Sequence, residues 1–146
     1  TSRTIPQRRA LKILEPTTDP ILIFGGKGDK IAGSTIEDAS QGRKVRSIAG
    51  QYSLRQSMAL IAQCKGAIAA DSGLGHISAN LGVPTVSLFG AADPNSTSPI
   101  GPKTSVINKH VHCSPCLKNT CHNRIEPLLC LETIHTDTVW SALNGL

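Results

Sequence analysis

The chain has 146 residues, of which 39% are hydrophobic, 17% are charged and only 3% are aromatic, and its net charge is +5. This composition excludes a disordered chain and predicts a folded domain with an aliphatic core. The scarcity of aromatic side chains argues against single-stranded nucleic acid, whose bases stack on aromatic rings. The dispersed basic residues suit an anionic ligand, an anionic membrane face or a solvated surface. No apolar run approaches the ~20 residues that span a bilayer, and the first residues lack a signal-peptide pattern.

The first part of the chain alternates between predicted helices and predicted strands. In chain order these are helices over residues 6–14, 29–40 and 54–64 and strands over residues 20–26 and 45–49. The continuous apolar run that ends in Gly25 and Gly26 is typical of a buried parallel strand. Ser53 is a good N-cap for the third helix. The apolar residues of that helix share one face, namely Leu54, Met58, Ile61 and Ala62.

The second part continues the alternation and then loses it. Strands over residues 67–70 and 85–89 flank a helix over residues 73–81. We expect residues 91–135 to form a long loop region that contains Pro and Cys, with a last strand at Val106 and Ile107 as a candidate within it. We expect a C-terminal helix over residues 136–146. Strands that alternate with helices are typical of an α/β protein with a Rossmann-like, doubly wound, mostly parallel sheet. We assign residues 1–146 to one domain.

Residues 71–76, Asp-Ser-Gly-Leu-Gly-His, are the most informative segment. They follow an apolar strand and open a helix, so backbone N–H groups and the positive end of a helix dipole point at one place. Such a place suits a phosphate or another anion. Ligands of parallel sheets bind at the carboxyl ends of the strands, where Gly26, Gly50, Asp71 and Gly90 fall. The segment therefore predicts a nucleotide or sugar-phosphate site in a cleft that several loops form.

Further short motifs accompany this segment in a fixed order. They are Tyr52-Ser53-Leu54, Gly82-Val83-Pro84-Thr85, Leu88-Phe89-Gly90-Ala91-Ala92-Asp93-Pro94, Ser98-Pro99-Ile100-Gly101 and Cys113-Ser114-Pro115-Cys116. With residues 71–76, they resemble the donor-binding half of glycosyltransferase family 9, the ADP-heptose:lipopolysaccharide heptosyltransferases. The resemblance implies a GT-B enzyme with two Rossmann-like halves, of which this chain is the C-terminal half. It also implies that an N-terminal half holds the acceptor and the acidic general base.

The resemblance carries a set of donor-binding roles onto this chain. The matching residues are Ser2, Arg3, Asp29, Tyr52, Asp71, Ser72, Gly73, Leu74 and His76. It implies that Arg3 and His76 support the leaving diphosphate and that no catalytic base lies in this chain. The loop that begins with Ser72 is expected to hold phosphates or sugar hydroxyls, and Asp71, an acceptor-only group, suits a hydroxyl better. Tyr52 is a candidate to stack on adenine.

Five of these residues also have an ordinary structural interpretation. Asp71 is a candidate cap for the helix that starts near Gly73, and His76 is a candidate structural residue of that helix. Arg3 is a candidate for a frayed terminal side chain, and Tyr52 is a candidate for a residue that only packs on the sheet. Asp29 suits either a ribose hydroxyl or a helix N-cap. These alternatives stay open at the level of the sequence.

Four of the five cysteines are concentrated near the C-terminus, as Cys113, Cys116, Cys121 and Cys130. They are compatible with a zinc or iron–sulfur site, with disulfides or with free thiols. We expect them to lie close together and to stabilise the C-terminal segment rather than to perform chemistry. Cys64 is expected to be a small core residue.

The combined interpretation is the ADP-sugar-binding half of a glycosyltransferase that moves heptose or a related sugar onto a lipopolysaccharide core acceptor. No cofactor or metal is expected for the reaction, and no nucleic acid partner. The expected location is the cytoplasm, with peripheral contact at the inner face of the bacterial inner membrane left open. Two alternatives remain: half of a GT-B nucleotide-sugar epimerase, or a non-catalytic nucleotide- or metal-binding module.

Overall fold

A computed structural model describes all of residues 1–146 and shows five strands and seven helices. The helices are α1 (Gln7–Leu14), α2 (Lys30–Ala39), α3 (Leu54–Ile61), α4 (Gly73–Asn80), α5 (Pro94–Thr97), α6 (Leu129–Glu132) and α7 (Thr136–Asn144). The strands are β1 (Ile21–Ile23), β2 (Val45–Ser47), β3 (Ala67–Ala70), β4 (Thr85–Phe89) and β5 (Thr104–Asn108). A single 3-10 turn, Lys27–Asp29, precedes α2. No helix is both long enough and apolar enough to cross a bilayer.

All strand pairs are parallel, which confirms the predicted α/β class. The strands form two sheets, β1-β2 and β3-β4-β5, instead of one continuous sheet. No strand pair joins the two sheets, since β1 pairs only with β2 and β3 pairs only with β4. Because pairing is parallel throughout, the carboxyl ends of the strands in each sheet share one edge, and the loops that follow them lie there.

Strand β4 is the centre of the molecule, since every one of its residues is buried. The main aliphatic cluster packs around it and consists of Ile13, Val86, Leu88, Ile107, Leu131, Ile134 and Val139. The Trp140 Nε1–H donates a hydrogen bond of 2.7 Å to the Ile13 carbonyl and so joins α7 to α1. The aliphatic core expected from the composition is confirmed.

Two predicted elements differ from the observed ones. The predicted buried strand over residues 20–26 is only β1, and Leu22 in it is 42% exposed. One side of β1 has no partner strand, which leaves this apolar segment partly uncovered. Helix α3 ends at Ile61, and its Leu54 is 61% exposed, so most of its predicted apolar face is not buried. Its predicted cap is confirmed, because Ser53 accepts a hydrogen bond from the Gln56 N–H.

The predicted loop region over residues 91–135 contains more regular structure than expected. The strand suggested by Val106 and Ile107 is β5, and the short helices α5 and α6 also lie within the region. Residues 109–128 contain neither helix nor strand. The predicted C-terminal helix is α7, which begins at Thr136.

Candidate functional site

The turn between β3 and α4 leaves two backbone N–H groups without an acceptor. Ser72 is the N-cap of α4, and its hydroxyl oxygen accepts a hydrogen bond of 3.2 Å from the Gly75 N–H. The Ser72 carbonyl accepts a second bond, from the His76 N–H at 3.3 Å. The N–H groups of Gly73 and Leu74 make no hydrogen bond within the chain. These two donors at the positive end of a helix are suited to an anion.

The two glycines of this turn have different functions. A Cβ atom added to Gly73 would meet no heavy atom within 4 Å, so the backbone there is open to an approaching ligand. A Cβ atom added to Gly75 would lie 2.9 Å from the Ala69 Cβ and 3.3 Å from the Ala70 carbonyl oxygen. Gly75 therefore allows α4 to pack closely on β3. The sequence motif contained both glycines, but it did not show which of them is required for helix packing and which leaves the backbone accessible to a ligand.

The N-terminal segment brings a cation to the same place. Arg3 Nη1 lies 3.3 Å from Asp71 Oδ2, and the Asp71 side chain is only 10% exposed whereas that of Arg3 is 42% exposed. Arg3 is therefore not a frayed terminal residue. Asp71 Oδ2 is buried, and the ion pair with Arg3 is its contact with a charged group. The interpretation of Asp71 as the helix cap is wrong, because Ser72 caps α4.

Ser2 anchors this segment. It is almost fully buried. Its N–H donates to the Asn119 carbonyl at 2.9 Å, and its hydroxyl donates to the Lys118 carbonyl. The Ser2 side chain is thus already bonded to the loop that follows β5, and this contact holds the neighbouring Arg3 beside Asp71.

His76 lies one helical turn beyond Ser72 and is partly buried. Its carbonyl accepts a hydrogen bond of 2.7 Å from the Asn80 side-chain amide, while its ring makes no hydrogen bond within the chain. The imidazole therefore has no hydrogen-bond partner of its own within the chain, and its donor-supporting role stays a prediction. Leu74, in the first turn of the same helix, is also partly buried.

Asp29 and Tyr52 lie after the strands of the two-stranded sheet. Asp29 Oδ2 accepts a hydrogen bond of 2.9 Å from the Gly26 N–H, so this carboxylate closes the 3-10 turn. Asp29 is the N-cap residue of α2, as that interpretation expected, but its side chain makes no capping hydrogen bond to the helix. Tyr52 is 47% exposed beside a shallow depression on α3. No hydrogen bond or ion pair connects either residue with Arg3 or Asp71, and their donor-binding roles stay predictions.

The cysteine-rich segment surrounds a cavity of about 490 Å³ next to Ser2. Its polar lining includes Cys113, Cys116, Cys121, Cys130, His112 and His122, which confirms that the four cysteines lie close together. All are free thiols. Burial, and then the charges of Cys113 and Cys121, raise the pKa of Cys130. No three Cys, His, Asp or Glu side chains are arranged as the ligands of one metal ion.

The sequence did not indicate that Lys118 and Arg124 also line this cavity. Cys64 lies elsewhere, just beyond α3, where its thiol donates to the Leu60 carbonyl at 3.5 Å and burial raises its pKa. Cys64 is only partly buried and does not belong to the core, so the expectation of a core residue is wrong.

A parallel α/β domain with free helix N–H groups at the carboxyl edge of its strands belongs to the architectures that bind phosphate-bearing ligands. Comparison with known proteins makes the assignment specific. The family model described as glycosyltransferase family 9 (heptosyltransferase) matches residues 11–125, and the chain belongs to this family.

Individual relatives agree with the family assignment. Lipopolysaccharide heptosyltransferase 2 of Salmonella typhimurium is 38% identical over 90 residues, which cover 60% of this chain and 26% of that protein. Lipopolysaccharide heptosyltransferase 1 of Pseudomonas aeruginosa is 35% identical over 94 residues, or 61% of this chain and 26% of that protein. The chain therefore aligns with about a quarter of the length of these relatives.

Solved structures extend the similarity to nearly the whole chain. ADP-heptose lps heptosyltransferase II of E. coli superposes with a TM-score of 0.80 at 27% identity, covering 99% of this chain and 42% of that one. A glycosyl transferase family 9 protein of Veillonella parvula has the same fold, with a TM-score of 0.77 at 20% identity over 99% of this chain and 42% of its own.

Proposed function

We propose that this chain is the ADP-sugar-binding half of a glycosyltransferase that moves heptose or a related sugar onto a lipopolysaccharide core acceptor. Family membership and the heptosyltransferase names of the relatives support the reaction class. The observation that carries the proposal is the turn at the start of α4. Its two unpaired N–H groups, of Gly73 and Leu74, lie in the helix turn that adjoins the Arg3–Asp71 pair.

In this proposal the turn binds the diphosphate of the donor. The Gly73 and Leu74 N–H groups donate to phosphate oxygens, and the open space at Gly73 lets the ligand approach the backbone. Arg3 neutralises part of the negative charge through its guanidinium group, which is already held near the turn by Asp71. The helix dipole contributes in the same direction.

The neighbouring polar groups then contact the uncharged parts of the donor. Asp71, whose carboxylate can only accept hydrogen bonds, is proposed to accept one from a sugar hydroxyl with the oxygen that does not face Arg3. The Ser72 hydroxyl uses its oxygen to cap α4 and retains its proton for donation. His76 would donate to a phosphate oxygen and stabilise charge as the diphosphate leaves. Tyr52 and Asp29 remain proposed contacts of the adenosine.

The proposed reaction is a displacement at the anomeric carbon. An acceptor hydroxyl attacks with inversion, ADP leaves, and a carboxylate outside this chain takes the hydroxyl proton. No divalent metal is required in this scheme, since Arg3, His76 and the backbone donors offset the diphosphate charge. We place the reaction in the cytoplasm, with the acceptor at the inner face of the inner membrane.

An assay of ADP release by the full-length protein tests this function. We expect ADP to appear only when both the ADP-sugar and a lipopolysaccharide-type acceptor are present. The isolated chain should bind ADP but transfer no sugar, because the two halves of such enzymes close over the donor and exclude water. A changed sugar configuration without acceptor would instead indicate an epimerase. Sugar transfer by the isolated chain would contradict the assignment of this chain as a donor-binding half.

A further inference from the structure

The cysteine-lined cavity has no role in the proposed reaction. We propose that Cys113, Cys116, Cys121 and Cys130 bind one Zn²⁺ ion as four thiolate ligands. The ion would hold residues 109–128, the segment without helix or strand, against the end of β4. This inference does not depend on the proposed transferase activity.

The position of the four thiols is the first argument. All four line the same cavity, although they are distributed over a segment without regular secondary structure and the short helix α6. Cys113 and Cys116 have the two-residue spacing of a zinc-binding pair, and four sulfur ligands form a closed structural zinc site. The cavity volume of about 490 Å³ leaves room for the side chains to turn toward a common centre. Cys64 is not part of the lining.

The wall of this cavity is firmly attached to the sheet. The Ser114 hydroxyl donates to the Gly90 carbonyl at 2.5 Å, and the Leu117 N–H donates to the Ala91 carbonyl at 2.7 Å. A Cβ atom at Gly90 would lie 2.5 Å from the Cys130 sulfur, so that thiol packs directly on the backbone after β4. The segment that carries Cys113 and Cys116, and the Cys130 thiol, are therefore held against the end of β4.

Two of the sulfur atoms lie near N–H groups of the same segment. The Leu128 N–H donates to Cys121 Sγ at 3.3 Å, and the Asn123 amide lies 3.9 Å from Cys113 Sγ in donor geometry. Such N–H groups stabilise negative charge on metal-bound sulfur. A zinc ion with four thiolates has a net charge of −2. Lys118 and Arg124 line the cavity, which has no Asp or Glu in its lining, and these cations offset that charge.

Metal binding also explains how a segment without regular structure becomes ordered. In the present arrangement no three thiols occupy ligand positions. Binding therefore requires the thiol side chains to rotate toward a common centre, with each ligating thiol losing its proton to the solvent. The ion would offset the conformational entropy of ordering the segment. It would also secure the Lys118 and Asn119 carbonyls that bind Ser2.

The test uses reduced full-length protein that is loaded with Zn²⁺, freed of excess metal and analysed for bound zinc. We expect the variant Cys113→Ser/Cys116→Ser to contain one zinc fewer per chain than the unmodified protein. Cys64→Ser, the matched control outside the cavity, should retain all of it. With Co²⁺ in place of Zn²⁺, the unmodified protein and the control should show intense thiolate-to-cobalt absorption.

Several results would overturn the assignment. The first is that the folded, unmodified protein retains no zinc. The second is that the double variant retains as much zinc per chain as the unmodified protein. Co²⁺ spectra without thiolate absorption would show that zinc binds only to other side chains, and stoichiometric iron with sulfide would mean a cluster instead. If the double variant does not fold, the Co²⁺ spectrum of the unmodified protein and the single variant Cys121→Ser decide. That variant should bind Zn²⁺ at least tenfold more weakly.

Discussion

The substitution Gly73→Val separates ligand binding from folding at the start of α4. The structure has no heavy atom within 4 Å of an added Cβ at this position, so the valine side chain fits without displacing any protein atom. The same side chain would occupy the space through which a phosphate reaches the Gly73 and Leu74 N–H groups. We therefore expect binding to weaken while the fold persists.

The size of the effect follows from the donors that are lost. A hydrogen bond to a charged group contributes about 1.5–3 kcal/mol, so blocking even one N–H group should lower ADP affinity at least ~10-fold, or about 1.4 kcal/mol. The free energy of unfolding should change by less than about 0.5 kcal/mol, as for other substitutions without steric conflict. Isothermal calorimetry with ADP measures the first quantity, and urea unfolding followed by circular dichroism measures the second.

Gly75→Ala is the control for stability, because this substitution should lower the free energy of unfolding. Its added Cβ would lie 2.9 Å from the Ala69 Cβ, so α4 must move away from β3. Overpacking of this kind costs about 1–3 kcal/mol of stability. If Gly73→Val leaves ADP affinity unchanged while its circular dichroism spectrum is intact, the donor site does not lie at this turn and the argument from the free N–H groups is refuted.

The remaining predictions concern two neighbours of the turn. His76→Ala in the full-length protein should lower turnover by roughly 10²-fold, the effect of losing one oriented donor, with little change in melting temperature because the ring makes no hydrogen bond within the chain. The exposed His135 provides the control, since His135→Ala should change neither turnover nor melting temperature. If His76→Ala instead lowers the melting temperature and leaves turnover unchanged, His76 is a structural residue. Ser72→Ala should cost about 1 kcal/mol of stability in urea unfolding, because the Gly75 N–H loses its acceptor. Ser72→Thr should restore most of this loss, and equal stability of all three proteins would contradict the capping assignment.

Much of the secondary structure could be predicted from the sequence because it depends on neighbouring residues. The apolar runs of β3 and β4 lie between turn residues, and a local pattern of this kind is sufficient to identify a strand. The Ser53 cap is equally local, since its partner Gln56 is three residues away. The same holds for the turn of residues 71–76, whose position between a strand and a helix follows from the order of its residues.

The sequence was less informative where burial depends on a neighbouring strand. Ile21–Ile23 looks like a buried central strand because it is apolar throughout, yet a strand becomes buried only when other elements cover both of its sides. Its one-sided pairing exposes Leu22. Leu54 in α3 is a similar case, since an apolar helix face is buried only when another surface packs on it.

The sequence by itself predicted the turn of residues 71–76 between a strand and a helix, and the tertiary structure decided what the residues of that turn contact. Asp71 and Ser72 are adjacent and both suit a helix cap, and only the backbone geometry of the turn assigned that role to Ser72. The Arg3–Asp71 pair depends on the packing of Ser2 against the loop at Lys118, far away in the sequence. Local preferences act over a few residues, whereas such contacts require the whole core to position distant segments together.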